Sequence, residues 1–560
     1  MGPAGPAAAI HAGAAGFEAP VPAVRSGAAV RQGRGGRIAA MSPATPTPLR
    51  PAWRAALAGC LGATLMPWAA AQAASPQLLL QPCRLKGVEH EARCGVLKRP
   101  LDPAAPGGRQ IDLKVAVLPA VARNKKPDAV FFFAGGPGQS AIELAGTVAR
   151  TMGRFLNRRD IVLIDQRGTG GSAPLQCEPE SPGRPLAEVH NLQRAAEQLR
   201  ACRDALMALP HGDLRQYTTP IAMADAEAVR QALGLGPVNV VGGSYGTRAV
   251  LEYLRQFPGS VRRAVIDGVA PPDMALPMAF SADAQSAMNA LLAGCEGEAR
   301  CAAQYPRLRQ DWQALLASPP RQVVVTHPLT GQDERLTLSR DIISSLARLP
   351  LYGPNLASAL PYAITEAGAG RFTPLLGLTT AIGGPRGLQL AMGMHFSVIC
   401  AEDLPRLATS TDQPSPDFGD VVLRQYRAAC EGWPRGEVPP AFYTLPPTPA
   451  PTLVLSGGLD PVTPPRHGER VTRALGPQAR HLVVPQAGHG TMVLGCMRDV
   501  IYRFVDQDDP AAALAGLKAD ASCGRALPRP PAFVPVQPRS GRSTPPAPAV
   551  PGLTQTGVAP

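Results

Sequence analysis

Six short apolar runs, each closed by a turn, set the frame of this chain. Residues 129–133 run into Gly135, Gly136, Pro137 and Gly138, and residues 160–164 into Asp165, Gln166, Arg167 and Gly168. Residues 238–241 run into Gly242, Gly243 and Ser244, and residues 263–266 into Asp267 and Gly268. Two later runs cover 452–455 and 481–484. They lack the polar alternation of half-exposed strands, which suits parallel strands buried on both faces. Helical patterns at 222–235 and 245–256 lie between them. Strand, glycine turn, helix, strand predicts an α/β fold with a mostly parallel, doubly wound sheet. Residues 110–121 do alternate, which predicts an antiparallel edge hairpin.

The pattern lapses between 273 and 450, where helical stretches at 279–292, 308–317, 341–349 and 420–430 are broken by Pro and Gly. The expected core therefore comes in two pieces, 74–272 and 451–527. The segment 273–450 reads as a mainly helical lid inserted over the C-terminal edge of the sheet, where ligands of α/β proteins bind.

The flanks follow a different logic. Residues 1–40 hold 12 Gly or Pro and no periodic pattern, and read as disordered or as a misassigned start. In 41–73, Arg50 and Arg54 precede an apolar run that ends in Ala71, Gln72 and Ala73. That is the layout of a signal peptide starting at Met41 and cleaved after Ala73, which predicts a secreted or periplasmic protein without stable membrane insertion after cleavage. Leu57, Ala58, Gly59 and Cys60 have the shape of a lipoprotein box. Too few residues separate Arg54 from Cys60 for an apolar segment, and the run continues past the cysteine, so plain secretion is the stronger reading. Residues 528–560 hold ten Pro and three Gly and read as an extended, disordered tail.

These flanks also account for most of the formal charge of +13: residues 1–40 carry +3, the signal segment +2 and the tail +3, leaving +5 for 74–527. The basic excess is thus no sign of an anionic partner. The chain has no phosphate-binding glycine loop and no basic–aromatic interleaving, so it points to neither nucleotide nor nucleic acid.

Beyond Cys60 there are ten cysteines: Cys83, Cys94, Cys177, Cys202, Cys295, Cys301, Cys400, Cys430, Cys496 and Cys523. An even count predicts disulfides and an oxidising compartment. Pairing nearest neighbours gives five short loops, although sequence alone leaves connectivity open. No Cys-x-x-Cys occurs and no cysteine lies close to a His pair, so no metal is expected, and no cofactor.

Gly242-Gly243-Ser244-Tyr245-Gly246 has the G-x-S-x-G form, between an apolar run and a helical pattern, the context in which such a serine is a nucleophile. A serine needs a base, and the base an orienting acid. His489, flanked by Gly488 and Gly490, follows the run 481–484 at the same end of the sheet as the serine. Asp460 follows the run 452–455 at that end and is the candidate acid. Ser244, His489 and Asp460 are the expected triad. The amide of Tyr245 and the amide of Gly136 are the expected oxyanion donors.

Taken together, GGPG (135–138), DQRGTGGS (165–172), GGSYGT (242–247), SGGLDPVTPP (456–465) and GHG (488–490) resemble the proline iminopeptidase branch of the α/β-hydrolases. The cysteines, the export signal and the C-terminal block make the chain most similar to secreted tripeptidyl aminopeptidase-like members. The resemblance spans about residues 80–525. It implies an α/β-hydrolase fold and hydrolysis of a peptide with a free N-terminus, releasing a residue or a short peptide. It also implies a lid acid that binds the substrate amine, for which Glu402 is the counterpart. The chain departs from the pattern at Ala134, where many proline iminopeptidases carry His. A triad alone does not choose the acyl group, so a carboxyl-ester hydrolase on the same fold is the alternative.

Overall fold

The computed structural model describes residues 77–383 and 389–536. The expected misassigned start, the signal peptide and Cys60 lie outside the described residues. Among the described residues eleven strands are formed: β1 (Gln81–Cys83), β2 (Ala92–Pro100), β3 (Gln110–Leu118), β4 (Val130–Phe133), β5 (Ile161–Ile164), β6 (Val238–Gly243), β7 (Val261–Asp267), β8 (Arg321–Thr326), β9 (Asp333–Leu338), β10 (Thr452–Gly457) and β11 (Ala479–Val484). Nine of them make one sheet in the order β1-β2-β3-β5-β4-β6-β7-β10-β11. Pairing is parallel from β5 to β11 and antiparallel among β1, β2, β3 and β5.

Both faces of the parallel part are covered, which is why its strands read as unbroken apolar runs. Phe131, Val162, Val240, Ile266 and Val454 enter one core together with residues of the helices Thr219–Ala232 and Tyr245–Gln256. Their neighbours Val130, Leu163, Val241, Val265 and Leu453 enter the core on the other face, with Val500 and Phe504 of the helix Met497–Asp506. Each such side chain contributes about 1.5–3 kcal/mol on burial. The expected hairpin is β2–β3, but it is not the sheet edge: β3 also pairs with β5, and the short β1 lies outside β2.

Between β7 and β10 the chain forms helices that include Leu276–Glu296, Leu308–Ala317, Arg340–Arg348 and Val421–Cys430, and the antiparallel hairpin β8–β9. This lid has its own core around Trp312, whose Nε1 donates to Asp417 Oδ2 at 2.8 Å. Five disulfides close the nearest-neighbour loops: Cys83–Cys94, Cys177–Cys202, Cys295–Cys301, Cys400–Cys430 and Cys496–Cys523.

The tail requires a correction. Its residues 537–560 lie outside the described residues, but its first part is docked on the lid and not solvated throughout. Arg529 donates to Ala290 O at 3.2 Å, Phe533 N to Ser358 O at 2.9 Å, and Tyr305 Oη to Phe533 O. The Phe533 ring packs edge-on against Tyr362 at 5.3 Å. Three hydrogen bonds and one ring contact hold this segment, although the Phe533 side chain itself stays 47% exposed.

Candidate active site

Strands β6, β7, β10 and β11 are parallel neighbours, so the chain leaves all of them at the same edge. Ser244 leaves β6 with φ 56° and ψ −126°, a conformation that costs about 1–3 kcal/mol. Glycine on both sides permits it. A Cβ on Gly242 would lie 2.2 Å from Gly246 O, and a Cβ on Gly246 would lie 2.2 Å from Phe133 O. The helix Tyr245–Gln256 begins at once, so the Tyr245 amide has no intrahelical acceptor.

The loop Gly135, Gly136, Pro137, Gly138 leaves β4, the neighbour of β6. It passes so close to the serine that a Cβ on Gly135 would sit 3.3 Å from Ser244 Cβ. The lid holds this loop from above. Ala391 N donates to Gly138 O at 2.9 Å, and His395 Nδ1 to Pro137 O at 3.0 Å. A carbonyl only accepts, so Nδ1 carries the His395 proton and Nε2 takes the Tyr426 hydroxyl at 3.0 Å. Burial lowers the His395 pKa and keeps that ring neutral. From the sheet side, the buried Asp165 ties the same loop to the turn after β5. It accepts from Ser140 Oγ at 2.6 Å, Ile142 N at 3.1 Å and Gly171 N at 3.0 Å.

Asp460 and His489 meet above β10 and β11, with His489 Nδ1 at 2.8 Å from Asp460 Oδ2. The carboxylate is buried and fixed by the amides of Val462 and Thr463, both 2.9 Å from Oδ1. Thr463 Oγ1 donates to Oδ2 at 2.8 Å and lies 3.1 Å from His489 Nδ1. Burial pulls the imidazole pKa down, but the Asp460 charge and hydrogen bond, with Asp267 behind, hold it above 6.5. Burial pushes Asp460 up, and His489 with the Thr463 and Val462 amides holds it below 3.8. Two other late histidines are engaged elsewhere: His467 Nε2 with Asp283 at 2.9 Å and His481 Nε2 with Ser456 Oγ at 2.9 Å.

Asp267 at the end of β7 went unread as a functional residue because it looks like a turn aspartate before Gly268. It lies between the serine strand and the acid strand and holds both sides. Its carbonyl accepts from Ser244 N at 2.9 Å. Its carboxylate accepts from Thr491 N, Met492 N and Thr491 Oγ1 at 2.6, 2.7 and 2.9 Å, which fixes the loop of His489.

Glu402 is not presented to open space. It sits in a π-helical turn, Ile399–Asp403, with no exposed side-chain surface. Thr219 N and Thr219 Oγ1 donate to it at 2.6 and 3.0 Å, and Arg248 Nη1 at 3.3 Å. Arg248 in turn grips Asp403 with bonds of 2.8 and 2.9 Å. Thr219 Oγ1 also meets Tyr245 Oη at 2.7 Å. The acid that the resemblance assigns to a substrate amine therefore offers no surface to an ammonium group in this conformation. It braces the helix that follows the serine.

A strained serine turn and a buried Asp–His pair on one edge of a parallel sheet define an α/β enzyme. Residues 128–495 match the alpha/beta hydrolase fold family, and the chain belongs to it. It is 27% identical over 432 residues to serine protease Hip1 of Mycobacterium tuberculosis, covering 69% of this chain and 80% of that protein. It is 33% identical over 197 residues to tripeptidyl aminopeptidase of Streptomyces lividans, covering 32% of this chain and 36% of that one. It is also 31% identical over 227 residues to carboxylesterase B of Mycobacterium tuberculosis, covering 38% and 43%.

Proposed function

We propose that the chain is an exported serine aminopeptidase that releases N-terminal residues or short peptides through Ser244, His489 and Asp460. Ser244 Oγ attacks the scissile carbonyl while His489 Nε2 takes its proton. Asp460 holds the Nδ1–H tautomer and stabilises the imidazolium. The Tyr245 and Gly136 amides take the oxyanion. The imidazolium then protonates the leaving amine, and water activated by His489 releases the acyl group. The observation that carries the reading is the Asp460–His489 pair at the same sheet edge as the Ser244 turn. The relatives named serine protease and tripeptidyl aminopeptidase support a peptide substrate.

Five disulfides support an oxidising, extracytoplasmic location. Among the described residues no helix is long and apolar enough to cross a membrane.

Peptide p-nitroanilides with free and with blocked amines, run beside short p-nitrophenyl esters, test the reading. An aminopeptidase loses its activity when the amine is capped, and Ser244→Ala abolishes it. Full activity in Ser244→Ala would overturn the mechanism. The likeness to a carboxylesterase favours ester hydrolysis as the second reading. Its signature is ester turnover with no cleavage of free-amine peptides.

A further inference from the structure

We infer that Arg348 recognises a carboxylate of the peptide substrate, an inference that rests on the peptidase reading above. Arg348 closes the lid helix Arg340–Arg348, and the chain passes directly into the 3-10 turn Leu349–Tyr352. That turn lies on the His489 loop. His489 N donates to Tyr352 O at 2.9 Å, and the Tyr352 ring meets the His489 imidazole edge-on at 5.3 Å.

The Arg348 guanidinium lies within hydrogen-bonding reach of the Tyr352 hydroxyl, and its charge also acts on Tyr426; burial raises both phenols and the guanidinium pulls them back. Tyr426 bonds His395, which holds the Gly136 loop through Pro137. Phe280, 5.7 Å from the guanidinium, packs edge-on against Tyr426 at 6.4 Å, so the Arg348 end of the lid helix lies near both the histidine side and the oxyanion side of the site.

Its charge is also unspent. Among the described residues Arg348 forms no ion pair within 4.0 Å, and its Nε is buried with no partner. Its aromatic neighbour Phe280 lies 5.7 Å away, and both border a small pocket with Ser344 and Ser345. The acids around it are committed elsewhere: Asp403 to Arg248, Asp460 to His489, and Asp341 of its own helix to Arg424. A half-buried guanidinium without an ion partner beside an active site matches a carboxylate in shape and charge. It repels the substrate's free amine, so it orients a peptide with its ammonium end away and its acidic end toward the lid helix. The carboxylate is either the C-terminus of a short peptide or an acidic side chain.

The test compares three alanine-based tetrapeptides with free amines: a C-terminal acid, its C-terminal amide, and the amide with one internal Glu. Cleavage is followed by chromatography of the released amines. Wild type favours a carboxylate-bearing peptide over the neutral amide by about 10- to 100-fold in kcat/KM, the range of a charge-assisted hydrogen bond. Preference for the C-terminal acid identifies the terminus, and preference for the Glu amide identifies the side chain. Arg348→Met brings the ratio close to one, chiefly through KM, and Arg348→Lys keeps part of it. Fluorophosphonate labelling of Ser244 confirms that each variant is folded. An unchanged ratio in Arg348→Met, or no preference in wild type, overturns the inference. If no peptide is cleaved, the peptidase reading falls. The same ratio between 4-carboxyphenyl valerate and 4-carbamoylphenyl valerate, which carry the charge on the leaving group, then tests Arg348 by itself.

Discussion

Asp267 receives both the amide and the hydroxyl of Thr491, at 2.6 and 2.9 Å, and so anchors the loop that carries His489. Its own backbone carbonyl anchors Ser244. One residue at the end of β7 therefore ties the Ser244 turn to the His489 loop. Asp267→Ala leaves three buried donors unpaired at about 1–3 kcal/mol each, enough to lower the denaturation midpoint clearly. Asp267→Asn is milder, because the Thr491 hydroxyl can turn and accept from the new amide. Urea unfolding, with kcat measured on the folded fraction, checks the order wild type, Asn, Ala.

His489 must be neutral to accept the serine proton, so the rate rises with pH as it deprotonates. Its raised pKa puts the acid limb of the kcat/KM profile above 6.5. Asp460→Asn removes the charge that raises it. The limb then moves to lower pH, and kcat falls by roughly 10⁴-fold. A limb that stays in place in this variant contradicts the pairing.

Glu402 gives a separate, structural pH response. Burial pushes its pKa to about 7, more than Arg248 and the Thr219 bonds pull it down. The folded protein thus keeps a proton that the unfolded chain releases near 4.5. Its contribution is present below about 4.5 and is lost as pH rises toward 7. Glu402→Gln removes this slope, so the fall in unfolding free energy between pH 5 and pH 8 is smaller in the variant. Equal falls in both proteins would show that Glu402 is not the group responsible.

The disulfides differ in what they hold. Cys400–Cys430 closes 30 residues and joins the π-helical turn of Glu402 to the helix Val421–Cys430, whereas Cys295–Cys301 closes six. Loop-closure entropy makes loss of the longer one costlier by about 1.4 kcal/mol. Paired Cys→Ala variants compared by thermal unfolding should show that order, with activity lost first in the Cys400/Cys430 pair.

The parallel strands were legible because burial on both faces leaves unbroken apolar runs, and the serine turn because its geometry admits only glycine at Gly242 and Gly246. The edge strand β1 and its neighbour β2 carry exposed residues and polar neighbours, so no period marks them. The hairpin β8–β9 alternates only weakly beside Pro319 and Pro320. Asp267, Thr463 and Arg348 stayed hidden for another reason. Their importance lies in what the fold brings beside them, and nothing local distinguishes them from a turn acid, a loop threonine or a basic residue at a helix end.

The bonds from Ala391 and His395 to the Gly138 and Pro137 carbonyls make the lid part of the catalytic loop. A lid hinged fully away would carry those bonds with it and leave the Gly136 loop held only from the sheet side, through Asp165. The shape of the loop beside Ser244 is therefore coupled to the seating of the lid. A substitution that unseats the lid, even far from Ser244, is felt at the serine through these two carbonyls.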